Sequence, residues 1–340
     1  MALAVTKQGG SKDMRYLIAA LALLFYGATA AAADEPITIK FSHVVAENTP
    51  KGKGALKFKE LAESRLEGRV EVQVFANAQL YGDNKVLEAL LLGDVQLAAP
   101  SLSKFKRYTD KLQLFDLPFL FADIDAVHRF QKSAAGRQLL SATTERGLLG
   151  LGYWHNGMKQ LSANTALRRP ADAAGLKFRI QASDVIAAQF QALDATPLKK
   201  PFSEVFILLQ TKGIDGQENT WSNIYSKKFF EVQDHITESD HGLVDYMVVT
   251  SVEFWHGLPD DVRRVLEQCI DEASDYANQV ALEKAVGDRA KIQQSGRSEI
   301  LQLDPAERLL WVDAMKPVWA QFEDEIGADL IAAAMAANAE

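Results

Sequence analysis

Segments with the two-residue period of a β-strand alternate along this chain with segments that carry helix signals, and that alternation restricts the fold more than any other feature. Ile37–Ser42 reads as a short strand. Thr49-Pro50 then opens a helix, with Thr49 as N-cap and Pro50 in the first turn, that runs to about Leu66 and stops at Gly68. Val70, Val72 and Val74 share one face of a strand over Val70–Phe75. Asp83–Leu92 reads as a helix ended by Gly93, and Val95–Ala99 as a buried strand. The pattern resumes with strands at Leu149–Trp154 and Leu176–Gln181, and a helix at Ser183–Leu193. A helix over Ser203–Thr211, with Ser203 as cap, precedes Ile214–Gln217. Leu243–Thr250 is strand-like and is expected to return the chain to the first domain. Helix follows from Pro259, including the stretch Pro305–Ala337. Strands alternating with helices predict an α/β protein with a mostly parallel sheet. No repeat or Pro/Ser-rich linker separates the halves, so two interleaved domains fit better than two independent ones.

The N-terminus sets the compartment. Lys12 and Arg15 flank an apolar run from Tyr16 to Ala33 that ends in Ala-Ala-Ala before Asp34, the pattern of a cleaved signal peptide over residues 1–33. The rival is an uncleaved membrane anchor, since roughly 18 apolar residues approach a bilayer span. Either way the rest of the chain is expected outside the cytoplasm, in the periplasm. The whole chain has 37 basic and 45 acidic residues; removing Lys7, Lys12, Arg15 and Asp13 leaves 34 and 44, a net charge of −10. That balance argues against a nucleic-acid partner. It also means that any anion site must be built locally, from fixed cations and amide dipoles. Cys269, the sole cysteine, sits in the helical stretch Asp260–Ala277 and reads as buried and inert.

Enzyme signatures are missing: there is no G-x-S-x-G, H-E-x-x-H, P-loop or complete G-x-G-x-x-G. The histidines at 43, 128, 155, 235, 241 and 256 show no metal-ligand spacing, so neither metal nor cofactor is expected. Three polar segments remain as binding candidates. In Gly175-Leu-Lys-Phe-Arg-Ile-Gln181, Leu176, Phe178 and Ile180 face a core, while Lys177, Arg179 and Gln181 face away. Arg179 is then either an ordinary solvated arginine or, facing a cleft, a bidentate fork for a carboxylate. The second segment, Gly216-Gln-Glu-Asn-Thr-Trp-Ser-Asn223, sits where a strand should end, a common ligand position in α/β sheets. Asn219 and Asn223 offer donors and acceptors there, and Trp221 a rigid wall; a polar turn with a tucked tryptophan is the plain alternative. The third, Tyr153-Trp-His-Asn-Gly-Met-Lys-Gln160, also follows a strand, with Asn156-Gly157 marking a turn, and suits a binding wall or a hinge.

Taken together, Phe178-Arg179, Asp215-Gly-Gln-Glu-Asn219 and Phe202-Ser-Glu-Val205 resemble the DctP-type solute receptors of tripartite ATP-independent periplasmic (TRAP) transporters. Phe41-Ser-His-Val-Val-Ala-Glu-Asn-Thr-Pro-Lys-Gly52, Phe115-Asp-Leu-Pro-Phe-Leu-Phe121 and His155-Asn-Gly-Met-Lys-Gln160 are similar to the C4-dicarboxylate branch. The likeness runs from about residue 37 to residue 320. It implies a two-domain Venus-flytrap fold with a long bracing helix in the C-terminal region. It divides the chain into a first lobe of residues 34–155 plus 245–300, a second of 156–244, and a C-terminal helical segment of 301–340 packing on both. It further implies delivery of succinate, malate or fumarate to the small and large subunits of an ion-driven permease, without ATPase activity. The family's carboxylate anchor falls on Arg179 and its asparagine partner on Asn219, and Lys159 occupies a turn position that often carries a basic residue.

A dicarboxylate brings two charges into a closed site, so a second cation is required. Lys51, in the first turn after Pro50 where helix amides are free, is the expected distal cation, with Lys159 as the alternative. His241, Ser101 and Asn156 are expected to supply remaining polar contacts. The protein is expected to act as a monomer, and a sensor kinase is a conceivable second partner. Two other readings stay open: a receptor for a 2-keto or sugar acid, and a secreted enzyme acting on small acids.

Overall fold

The computed structural model describes residues 1–4 and 35–339. From residue 5 on, the expected signal peptide lies outside the described residues. Among the described residues there are ten strands: β1 (Ile37–Ser42), β2 (Val70–Phe75), β3 (Leu97–Ala98), β4 (Leu148–Ala163), β5 (Lys177–Ile180), β6 (Thr196–Lys199), β7 (Gly216–Thr220), β8 (His235–Glu238), β9 (Leu243–Ser251) and β10 (Glu299–Gln302). They line up in the order β2-β1-β3-β9-β4-β7-β5-β6, with β8 on β4 and β10 on β8. The sheet is mixed rather than mostly parallel. β1 and β3 run parallel, as do β5 and β6, but β4 is antiparallel to β7, β8 and β9.

β4 and β9 explain the mixture. β4 extends to Ala163, well past the expected end at Trp154, and Asn156-Gly157 is not a turn. Gly157 adopts φ +120° at a register shift between His155 and Gly157, so the glycine makes a bulge and the strand continues. The first part of β4 pairs with β9 (Tyr153 opposite Met247), and the last part pairs with β7 (Gln160 opposite Asn219). β9 returns as expected to the first strands, with Val249 opposite Ala98 of β3.

The helix Pro50–Arg65 is capped as its sequence indicates, the Thr49 hydroxyl accepting from Gly52 N at 3.3 Å. Ser203 caps nothing: a 3₁₀ turn over Phe202–Glu204 leads into a helix at Val205–Gln210. The brace is the 36-residue helix Asp260–Ser295, which packs on the Pro50–Arg65 helix, on β4 and on the helix Trp221–Ser226. Cys269 is fully buried within it. The stretch from Pro305 is interrupted, because Pro317 offers no amide proton and Gly327 takes φ +105°. Its pieces join two cores: Trp311 and Met315 pack with Phe178 and Phe190, and Val318, Phe322 and Ile326 with Phe115 and Phe130. No helix among the described residues is long and apolar enough to cross a membrane.

Candidate functional site

A cavity of about 350 Å³ is walled by residues from distant parts of the chain. Val44 and Val45 come from the segment after β1, Asp83 and Asn84 from a loop, and Lys104 from the 3₁₀ turn Leu102–Phe105. Opposite in sequence are Arg179 and Gln181 at the end of β5, Phe202, Asn219 at the end of β7, Asn223, and Tyr246 of β9. Its volume lies at the lower end of the ~300–1,000 Å³ range of small-molecule sites. A larger surface hollow of about 610 Å³, near the C-terminal helices, has Lys111, Glu145 and Asp329 on its walls and no buried cation.

Arg179 is the dominant charge of this cavity. Its neighbours Phe178 and Ile180 fill a core, and Arg179 itself is only 2% exposed. Its Nε donates to Lys200 O at 3.0 Å, and its guanidinium carbon lies 5.9 Å from the Phe202 ring centre. No carboxylate comes within 4 Å of it among the described residues. Burial drags its pKa down to about 10, against the pull of Glu218 and Asp83. A buried guanidinium without a counter-ion is costly, and an anionic ligand relieves that cost.

β7 supplies the amides. Asn219 Oδ1 accepts from Asn223 Nδ2 at 2.7 Å, which ties the strand end to the following helix. Thr220 caps that helix through Asn223 N, and its hydroxyl also accepts from Asn156 Nδ2 at 2.6 Å. Asn156 therefore supports the turn without lining the cavity. Asn223 Oδ1 is buried without a hydrogen-bond partner among the described residues. Trp221 stands elsewhere, its ring 5.7 Å from the Arg289 guanidinium in a separate hollow with Met158 and Leu282.

Lys159 and His241 form a group of their own with Glu218. Lys159 Nζ donates to Glu218 Oε2 at 2.7 Å, His241 Nε2 meets the same oxygen at 3.1 Å, and Ser239 Oγ lies 2.8 Å from His241 Nδ1. Burial works to raise the Glu218 pKa, but Lys159 and His241 outweigh it and hold the carboxyl down at about 2. Burial lowers the His241 pKa. Lys159 is thus paired within the protein and does not line the cavity.

Lys51 is fully buried, as a ligand-site lysine would be, but it too stands off the cavity wall. Its ammonium donates to Ala99 O at 2.8 Å and lies 3.6 Å from the centre of the Tyr246 ring. Burial brings its pKa down to about 8. It borders the cavity through Tyr246, and Asp83 and Lys104 of the cavity wall act on its charge. Ser101 also acts at one remove, accepting from Gln181 Nε2 at 2.9 Å.

Of the expected residues, Arg179, Asn219 and Asn223 share the cavity, whereas Lys51, Ser101 and Asn156 touch residues of its wall or the turn behind it. Tyr246 and Lys104 were not anticipated. Tyr246 lies in a strand buried along its whole length, where period two carries no signal. Lys104 follows a strand end in Ser-Leu-Ser-Lys, and that position is the one cue the sequence offers.

The model of the DctP family, described as bacterial extracellular solute-binding protein, family 7, matches residues 41–325. A C4-dicarboxylate-binding periplasmic protein of Shewanella loihica is 66% identical over 303 residues, covering 89% of this chain and 90% of the relative. Among solved structures, a TRAP periplasmic solute binding protein from Shewanella oneidensis with bound succinate is 63% identical, with a TM-score of 0.88 over 89% of this chain and 99% of its own. Another from Pseudomonas aeruginosa, with bound L-malate, is 48% identical, with a TM-score of 0.83 over 84% of this chain and 100% of its own.

Proposed function

The chain belongs to the DctP family of bacterial extracellular solute-binding proteins, and from that membership we propose that it is the periplasmic receptor of a TRAP transporter, closing on a C4-dicarboxylate such as succinate, malate or fumarate. It is a solute receptor and not an enzyme. The observation that carries the ligand reading is Arg179: a guanidinium buried to 2% exposure, without a carboxylate partner among the described residues, beside Asn219 and Asn223 in one cavity. In this reading the Arg179 fork takes one ligand carboxylate in two charge-assisted hydrogen bonds, and the asparagine amides complete its shell. Lys51 orients Tyr246 from behind, while Lys159 and His241 keep Glu218 ionised and in place next to Asn219. Ser101 and Asn156 support the walls, and Trp221 stands apart from them.

The lobes proposed are residues 34–155 with 245–300, and residues 156–244, with 301–340 packed on both. Residues 1–33 act as a signal peptide. The receptor works as a monomer that presents its closed form to the small and large permease subunits, and a sensor kinase reading the same closed form is a further partner, detectable by pull-down with and without succinate.

A thermal-shift panel tests the ligand class. A ligand at ~100 Kd stabilises the folded state by about 2.7 kcal/mol. Succinate, malate or fumarate should give such a shift. No shift with any of them, together with a large one for a 2-keto or sugar monocarboxylate, would overturn the assignment.

A further inference from the structure

The geometry points to Lys104 as the specificity-determining cation of the cleft: its ammonium receives the carboxylate distal to the one held by Arg179, and so separates dicarboxylates from monocarboxylates. The inference rests on the dicarboxylate reading of the cavity.

Five lysines lie in or near the wall, and four already have an occupation: Lys227, off the lining, donates to Asn77 Oδ1 at 3.3 Å and stands 5.5 Å from the Phe202 ring centre. Lys159 is neutralised by Glu218 at 2.7 Å. Lys51 does not line the cavity; it donates to Ala99 O and lies over the Tyr246 ring. Lys85 is on the rim, largely exposed and 3.1 Å from Glu88. Lys104 lines the wall half-buried, and its one hydrogen bond among the described residues is to Asn84 Oδ1 at 2.8 Å. An ammonium has three donors, so two remain for a ligand.

Its position suits the task. The turn that carries Lys104 is fastened to the strand end that carries Arg179. Gln181, two residues beyond Arg179, donates to Ser101 Oγ at 2.9 Å and accepts from Ser103 Oγ at 3.4 Å. These contacts hold the two cations in the wall of one cavity although they are 75 positions apart in the chain, 104 against 179. The charges of the lining also match. With Lys85 paired to Glu88, Arg179 and Lys104 face a single acid, Asp83, so the lining keeps a net positive charge toward an anionic ligand. A monoanion bound at Arg179 leaves Lys104 desolvated opposite an apolar ligand end, which is unfavourable. Burial already lowers the Lys104 pKa, with Arg179 adding to the effect and Asp83 opposing it.

The test is calorimetric titration of the full receptor with succinate and with butyrate, which keeps the chain length but has one carboxylate. In Lys104→Met, succinate affinity should fall by about 30-fold or more while butyrate affinity stays within about 3-fold, because only succinate loses a charge-assisted bond. Lys51→Met, acting through Tyr246, should weaken both ligands by similar factors. Lys104→Arg keeps the charge and should retain the preference for succinate. Equal losses of succinate and butyrate in Lys104→Met, or succinate affinity unchanged, would overturn the assignment to Lys104. So would a preference lost as fully in Lys104→Arg as in Lys104→Met. Wild-type protein that binds no succinate, malate or fumarate instead removes the ligand reading itself, and the inference with it.

Discussion

Replacing Arg179 by methionine should abolish binding while leaving the ligand-free protein as stable as before, or more so. The reasoning starts from the cost of burying this guanidinium. Its pKa falls from 12.5 to about 10 through desolvation. At about 1.36 kcal/mol per unit, that shift corresponds to roughly 3 kcal/mol of strain on the charged form. Against it stands the Nε bond to Lys200 O at 3.0 Å. A hydrogen bond from a charged donor contributes about 1.5–3 kcal/mol. Methionine has a similar unbranched reach and packs readily in irregular space. The ligand-free variant should therefore lie between unchanged and about 2 kcal/mol more stable, a melting rise of zero to roughly 6 °C for a chain of this size. Succinate should reverse the ranking: wild type gains about 2.7 kcal/mol at ~100 Kd, and the variant gains nothing. Scanning calorimetry of both proteins, with and without succinate, reads all four states. A ligand-free variant destabilised by more than about 2 kcal/mol would refute the reasoning, because the guanidinium would then be part of the native scaffold. A succinate shift retained in the variant would refute its assignment as anchor.

Two further perturbations probe the supporting structure. His43 is buried with neither ring nitrogen partnered among the described residues, and burial, aided by Lys51, lowers its pKa from 6.5 to about 3. The unfolded chain then binds a proton that the folded protein refuses, so stability is complete above about pH 6.5 and falls as pH drops toward 3, by about 1.4 kcal/mol per unit. His43→Gln should lose about 2 kcal/mol less than wild type between pH 6.5 and pH 5 in urea melts, and parallel pH profiles would remove His43 as the cause. Glu218→Gln strands the Lys159 ammonium, 2.7 Å away and fully buried, without its counter-charge. The expected loss is about 3–5 kcal/mol of unfolding free energy at neutral pH, and a loss under about 1 kcal/mol would show that the pair does not hold β4 and β7 together.

The local elements were legible where short-range chemistry decides them. Thr49 caps its helix because the hydroxyl and the amide it serves are three residues apart. Strand β5 announces itself through Phe178 and Ile180, but the alternation says only which face Arg179 takes, not that Phe202 and Asn219 close over that face. Asn156-Gly157 carries the composition of a turn, yet pairing with β9 on one side and β7 on the other keeps the strand running through a bulge. The Lys159–Glu218 pair depends on the register of β4 against β7, which sets Leu161 opposite Glu218. No local pattern reveals a register between strands so far apart in sequence. For the same reason Lys159 and Lys51 looked like free cations, and Lys104 like an unremarkable polar-segment lysine.

The placing of the lysines bears on how an acidic protein holds an acid. The chain has a net charge of −8, and its exposed carboxylates repel an approaching dianion. At physiological ionic strength that field fades over about 8 Å, so it acts mainly on the approach. Inside the cavity the field is local. Arg179 lies in a wall with Val44, Val45 and Phe202, where its charge is poorly screened. Two more buried cations stand just behind the wall, but one is cancelled by Glu218 and the other is turned toward a backbone carbonyl and an aromatic face. Cancelling those charges protects specificity as well as stability: with every cation open to the cavity, any polyanion would be drawn in. Leaving charge uncompensated only where a ligand carboxylate is to sit makes both the number and the spacing of carboxylates part of what the cavity recognises.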